Sequence, residues 1–302
     1  MSPHSPTNLN TCAIIVTYHP DNTFPLRFAE IKKQFPNVVI VDNGSNEAAI
    51  RMLLALVEPN NENFLGNTDN LGVAAALNQA VELVSKRKLE WIVTFDQDTD
   101  IFPDLLATLE YICQTCGSDR ILVGPNYWNA NKQRYFLNPH STSRAFQPRK
   151  TLITAGMLMS LNAFNEIGLF REDYFIDSVD HEFCLRARSL GYQILMSRKP
   201  GMSQPIGCNR QHASRLRRYI SFDHSPVRKY YIARNSVASV QKYFFREPLW
   251  SMFQCLRLMV DVMSIAFFEA EKLKKLRAVA RGINHGVAGK MGPIEMTCPN
   301  GF

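Results

Sequence analysis

The chain has 302 residues, of which 46% are hydrophobic and 20% charged, a balance that allows a sizeable core and excludes a disordered, collagen-like or disulfide-scaffold protein. The formal charge of +7 is uneven: residues 198–302 hold 18 Lys and Arg against 6 Asp and Glu, while residues 1–197 hold 16 against 21. Seven scattered cysteines suit reduced thiols, and "MSPHSPTNLN" lacks a basic-then-apolar leader, so residues 1–10 are expected to be a disordered polar tail on a cytoplasmic protein.

From residue 11, strand-like apolar runs alternate with helical patterns: "CAIIVTY" (12–18), "NVVIVD" (37–42), "WIVTF" (91–95), "RILVG" (120–124), "TLITAGMLMS" (151–160) and "YQILM" (192–196). This pattern implies an α/β domain over residues 11–215, with a mainly parallel sheet covered by helices on both faces. Ligands of such sheets lie beyond the carboxyl ends of the strands. Those ends read Thr17-Tyr18, Asp42-Asn43-Gly44-Ser45 and Asp96-Gln97-Asp98, with Asn70 and Gly72 preceding an alanine-rich helix. Asp100, with Pro103 and Asp104, reads as a helix start. Cys113 and Cys116 have redox-motif spacing, but with no second pair and no preceding strand they read as two helix positions.

Residues 216–302 read as a basic helical region. The run "LWSMFQCLRLMVDVMSIAFF" (249–268) is long enough to cross a bilayer, yet Arg257 and Asp261 are costly at its centre. It is expected to pack on the domain or lie on a membrane surface. A basic amphipathic helix follows over 269–282, carrying Lys272, Lys274, Lys275 and Arg277, with Gly282 as its stop.

Acidic residues on alternate positions at a buried strand end point to a divalent cation, Mg²⁺ or Mn²⁺, holding a diphosphate between Asp96 and Asp98. Taken alone, such a triplet reads equally as a solvated loop, and "VDNGS" reads as an Asx turn. Asp177 and Asp180 in "FIDSVDHEFCLR" sit at a helix start, where the dipole favours acids whatever their role. In "HSPVRKYYIARN", Arg228, Tyr231 and Arg234 offer donors to a departing diphosphate, or form one face of a basic helix.

The segments "IIVTYHP", "VDNGS", "NLGVAAALNQA", "FDQDT", "TAGMLMS", "EIGLFREDYFIDSVDHEFCLRARSLGY" and "HSPVRKYYIARN" occur in order. Together they resemble the family 2 glycosyltransferases, most of all their bacterial rhamnosyltransferase branch, over roughly residues 11–292. The resemblance implies a GT-A fold and a metal-dependent, inverting transferase. The implied donor is a nucleotide-diphosphate sugar, dTDP-L-rhamnose ahead of a UDP- or GDP-sugar, and the implied acceptor is a lipid-linked or growing cell-surface saccharide reached at the membrane periphery. It implies that Thr17, Tyr18, Asp42, Asn70 and Asp96 bind the nucleotide, that Asp98 and Asp96 hold the metal, and that Asp180 is the catalytic base, supported by Asp177 and Glu182. Arg228, Tyr231 and Arg234 would face the diphosphate. Many relatives carry a histidine where this chain has Gln204, which leaves His212 or His224 to complete the metal site.

Two other classes fit less well. A sugar nucleotidyltransferase needs a glycine-rich loop after its first strand, and "TYHPDNTF" has no glycine. A nucleic-acid partner is not expected, since neither an aromatic-interleaved RNA motif nor zinc-ligand spacing is present.

Overall fold

Strand β1 (Thr11–Thr17) is buried at every position except Val16, so both of its faces need cover. In the computed structural model, which describes residues 5–57, 62–140, 144–206 and 224–294, β1 pairs in parallel with β2 (Asn37–Asn43) and with β4 (Trp91–Asp96). The short β3 (Phe64–Asn67) extends β2, also in parallel. Beyond β4 the direction changes. The antiparallel β9 (Met157–Ser160) is wedged between β4 and β6 (Ile121–Asn129), and β10 (Gln193–Gln204) then runs parallel to β6. Three short strands complete the ten-stranded sheet: β5 (Asp100–Ile101) and β8 (Phe146–Pro148) lie against β10, and β7 (Arg134–Tyr135) against β6.

On one face, Ala13, Ile15, Val38, Ile40, Val93 and Phe95 pack with Phe24, Phe28 and Ile31 of α1 (Phe24–Gln34) and with Leu105, Leu109 and Ile112 of α4 (Leu105–Cys116). Helix α2 (Glu47–Leu56) is capped by Asn46, whose side chain accepts from Ala49 N–H at 3.0 Å. The alanines expected to permit close approach lie in α3 (Val73–Ser85), where Ala74, Ala76 and Ala80 are fully buried. Two short elements follow, α5 (Ala163–Ile167) and α6 (Val179–Ser189).

Three expectations change in this part of the chain, while Cys113 and Cys116 lie in α4 as expected. The run 151–160 is a strand only over its last four residues, because Gly156 turns the chain at φ +76 while Thr94 hydrogen-bonds Thr154 and Gly156. Asp100 does not start a helix. It lies in β5, its carboxylate meets Arg27 at 3.1 Å, and Asp104 holds the cap position of α4. The tail is not loose over residues 7–10, since Thr7 N–H donates to the Asn10 side chain at 2.7 Å and the Asn10 carbonyl accepts from Glu90 and Trp91; residues 1–4 lie outside the described residues. Cys113 is a core residue, with burial pushing its thiol up to about 12, and all five cysteines among the described residues are free.

The described residues divide into two compact units. The first runs to Phe170 and resumes from Phe183 to Pro205; the second takes Arg171–Glu182 and the residues from Ile206 on. The expected boundary at 215 falls outside the described residues, and the excursion of 171–182 into the second unit was not foreseen. The second unit is built on α7 (Pro226–Tyr243), α8 (Pro248–Phe268) and α9 (Lys272–Val287). Ser225 caps α7 by accepting from Arg228 N–H, and Pro226 takes its first turn.

Gly282 does not stop α9. It and Gly286 lie against α7, where an added Cβ would fall 2.5 Å from the Tyr230 carbonyl oxygen and 2.7 Å from that of Arg234. These glycines are a notch that lets two backbones touch. Lys275 does not share the exposed basic face of α9. It is buried and paired with Glu269 at 2.8 Å, while Glu269 also holds the buried Lys229 at 3.0 Å and Lys229 reaches Asp261 at 2.5 Å. Burial costs each ion several kcal/mol, so removing any one would strand its partners.

Filling the notch should therefore destabilise this unit. Gly286→Ala is expected to cost about 1–3 kcal/mol of overpacking, read as a lower midpoint in thermal unfolding, whereas Val287→Ala, exposed on the same helix, should leave the midpoint nearly unchanged.

Candidate active site

Register across three parallel strands sets the first half of the site. Thr17 pairs with Asp42, and Val16 with Asp96, so the carboxyl ends of β2, β1 and β4 present Asp42, Thr17 and Asp96 side by side. Asp42 is fully buried, and its carboxylate accepts from the Thr17 hydroxyl at 2.9 Å, the Ser45 hydroxyl at 2.6 Å and the Ser45 N–H at 2.8 Å. A carboxylate so occupied is a post that positions Thr17 and Ser45. Ser45 in turn accepts from His19 N–H at 2.7 Å.

Gly44 at φ +90 brings the chain against residues 69–70, where a Cβ would lie 2.7 Å from the Asp69 carbonyl carbon. That approach lets Asn43 donate to the Asn70 side chain at 3.0 Å and accept from Leu71 N–H at 3.0 Å. Asn70 also accepts from Gly72 N–H at 2.9 Å, closing the turn into α3. Asn67 and Gln79 exchange amide hydrogen bonds at 3.0 Å behind it. Asn70 thus shapes the turn, and its outer face stays exposed.

Tyr18 is half exposed, and its backbone is gripped by an amide that sequence reasoning passed over. Gln97 accepts from Tyr18 N–H at 2.7 Å and donates to the Tyr18 carbonyl at 3.1 Å. Reciprocal bonding of this kind locks the ends of β1 and β4 together and turns the two flanking carboxylates away from it. Both then converge on one atom: Gln204 Nε2 donates to Asp96 at 3.2 Å and to Asp98 at 2.9 Å, while Gln204 Oε1 accepts from the Thr99 hydroxyl at 2.6 Å. Burial pushes the Asp98 carboxyl above its ordinary range, against the opposing pull of the Gln204 hydrogen bond.

In the second unit, Phe175, Asp177 and Ser178 all take left-handed φ of +61 to +62, a conformation that costs a non-glycine residue about 1 kcal/mol or more. Two buried side chains of α7 hold them there. Asn235 donates to the carbonyls of Tyr174, Ile176 and Asp177 at 2.8 to 3.0 Å. Arg234 donates to the carbonyls of Asp173 and Gly292 and lies over the rings of Tyr230 and Tyr231.

Arg234 is fully buried, so its expected contact with a diphosphate is replaced by a loop-holding role. Tyr231 is corrected likewise, being buried against Phe175 with its hydroxyl accepting from Ile294 N–H at 2.7 Å. Arg228 is the expected diphosphate residue that reaches solvent; it pairs with Asp177 at 3.0 and 3.1 Å. That pairing also means the Asp177 carboxylate is spent on Arg228 rather than on capping α6.

Asp180 lies in the first turn of α6, half buried, with one oxygen accepting from His181 N–H at 2.7 Å. Glu182 is fully buried and accepts from Tyr243 and Lys242 at 2.9 Å, which makes it an anchor of the helix start. His224 belongs to this second unit, where burial pushes its imidazole down to about 4; His212 lies outside the described residues.

Residues 12–172, just over half of the chain, match the sequence profile of Glycosyl transferase family 2. The chain belongs to that family. It is also 29% identical over 248 residues to the dTDP-rhamnosyl transferase RfbF of Shigella flexneri, a match covering 78% of this chain and 81% of that one. Among solved structures, the mannosyltransferase PcManGT of Pyrobaculum calidifontis, in complex with GDP-Man and Mn²⁺, superposes with a TM-score of 0.57 at 14% identity, covering 99% of this chain and 82% of that one. GalNAc-T7 with UDP, GalNAc and Mn²⁺ superposes with a TM-score of 0.54 at 14% identity over 82% of this chain. This chain spans about half the length of GalNAc-T7, 54%. These likenesses carry the GT-A fold.

This family 2 glycosyltransferase has no group of three or more His, Cys, Asp or Glu that could hold a metal by itself among its described residues. The donor set nevertheless fits a hard cation. Two carboxylate oxygens already meet at a single point, the Gln204 amide nitrogen, and Mg²⁺ or Mn²⁺ takes one or two carboxylates and completes its shell with phosphate oxygens and water.

The loop of the second unit gives this transferase a sensitive point. Asn235→Ala removes a donor from the Ile176 and Asp177 carbonyls, while Tyr174 keeps Arg234 at 3.2 Å, at about 1–3 kcal/mol for each carbonyl left buried without a partner. The variant is expected to unfold several degrees lower and to lose transfer activity, as read by calorimetry and a turnover assay, while Asn235→Asp recovers neither.

Proposed function

We propose that this enzyme transfers L-rhamnose from dTDP-L-rhamnose, with inversion at the anomeric carbon, onto a lipid-linked or growing cell-surface saccharide in the cytoplasm. The observation that carries the reading is the 248-residue similarity to a dTDP-rhamnosyl transferase. The row of Thr17, Asp42 and Asp96 at three adjacent strand ends supports a nucleotide diphosphate as the donor.

Thr17 and Tyr18 border the base, with Thr17 oriented by Asp42 and Tyr18 by Gln97. Asn70 lines the same side through its exposed face. Asp96 faces the ribose and, with Asp98, holds Mg²⁺ or Mn²⁺, as the Mn²⁺ complexes of two neighbours support. When bound, the cation supplies positive charge to the departing diphosphate. Arg228 adds a solvent-reaching guanidinium for the same charge, exchanging Asp177 for phosphate oxygens.

Asp180 takes the proton from the acceptor hydroxyl as that oxygen attacks the anomeric carbon opposite the leaving diphosphate. Asp180 keeps one oxygen free of its His181 hydrogen bond for that proton. Asp177 and Glu182 act by fixing the chain on either side of it.

Two measurements test this assignment. Adding dTDP with Mn²⁺ should raise the unfolding midpoint, more than UDP or GDP does, and the rise should vanish with EDTA or in Asp98→Ala; an equal rise with and without EDTA, in wild type and Asp98→Ala alike, would remove the metal from the donor site. Asp180→Asn should bind dTDP as the wild type does while turnover falls by about 10² or more, and wild-type turnover in that variant would move the base elsewhere.

A further inference from the structure

Helix α8 buries Trp250 and Ile265 yet also turns an apolar stripe outward. Leu249, Met252, Phe253, Leu256, Met259 and Met263 are 53% to 78% exposed, and their spacing of three and four residues gathers them into one stripe. The opposite side, turned into the unit, carries the buried polar residues Ser251, Gln254 and Ser264, and Asp261 bound to Lys229. Singly exposed apolar residues are ordinary, but a continuous stripe marks a contact surface. The stripe runs the length of a 21-residue helix, about 31 Å at 1.5 Å per residue. Phe245, 93% exposed, continues it at one end.

We propose that α8 lies flat in the headgroup region of an anionic membrane, with this stripe turned toward the acyl chains. Charge selects a lipid surface over a second copy of the chain. Arg246 and Arg257 beside the stripe and Lys272 at the start of α9 are exposed, and the exposed Glu271 is matched by Lys274 at 3.1 Å, whereas Glu247 and Glu269 are buried and Asp261 points inward. Two stripes packed together would bring these cations into opposition, while anionic headgroups attract them.

The helix does not cross the bilayer, although its length and apolar composition would allow it. Asp261 is tied through Lys229 to Glu269 and Lys275, and a crossing would break that buried cluster and strand its charges in hydrocarbon. The proposal stands apart from the donor assignment, because it concerns binding without substrate.

The test is co-sedimentation of the full chain with phosphatidylcholine vesicles, with and without phosphatidylglycerol, at low and high salt. The expected result is pelleting with the anionic vesicles only, weakened by salt, and reduced about tenfold in Phe253→Gln/Leu256→Gln and in Arg246→Gln/Lys272→Gln. All four positions are exposed, and unchanged circular dichroism and unfolding midpoints confirm that the variants fold. Equal pelleting on neutral and anionic vesicles, or none on either, overturns the proposal. So does a wild-type dimer, seen by light scattering, that dissociates in Phe253→Gln/Leu256→Gln.

Discussion

Parallel pairing of β1 with β2 on one side and β4 on the other is the constraint on which the polar end of this sheet depends. Strands buried on both faces can offer polar groups only at their ends, and parallel strands offer them all at the same end. Thr17, Asp42 and Asp96 are neighbours for that reason. The polar atoms beyond them are then satisfied by one another, in pairs that cross between strands: Thr17 with Asp42, Tyr18 with Gln97, Asn43 with Asn70. A rigid rim results, preorganised before a ligand arrives.

The second unit solves a different problem. Its acidic segment 173–180 needs three non-glycine residues in left-handed conformations, which the chain alone does not favour. Arg234 and Asn235, consecutive on α7, supply the compensation by donating to the carbonyls that the twisted backbone exposes. The glycine notch of α9 lies against this same stretch of α7, touching the Tyr230 and Arg234 carbonyls. Close helix packing and loop conformation are therefore two sides of one element.

Much of the sheet was legible because continuous β-branched runs such as "CAIIVTY" and "NVVIVD" have no other good use, and because acidic and hydroxylic residues follow them directly. The antiparallel β9 was not, since a buried strand reads the same in either direction. Asp100 was misread because an acid before Pro103 has the local pattern of a helix start, whereas its position is decided by pairing with β10, distant in sequence. The expected diphosphate roles of Tyr231 and Arg234 failed for a related reason. Arg and Tyr on a basic helix announce hydrogen-bonding capacity, but burial settles whether a ligand or a carbonyl receives it. Gln97 and Asn235 carried no signal, because an amide becomes a clamp only where two backbone groups lie within its reach.

Gln204 has a consequence of its own. An amide bridges Asp96 and Asp98 in a place where an imidazole would gain a proton near neutrality. Glutamine has no such proton to gain. Mild acidification would turn a histidine here into a competing positive charge, whereas this carboxylate pair keeps an uncharged neighbour through the whole range in which cells acidify.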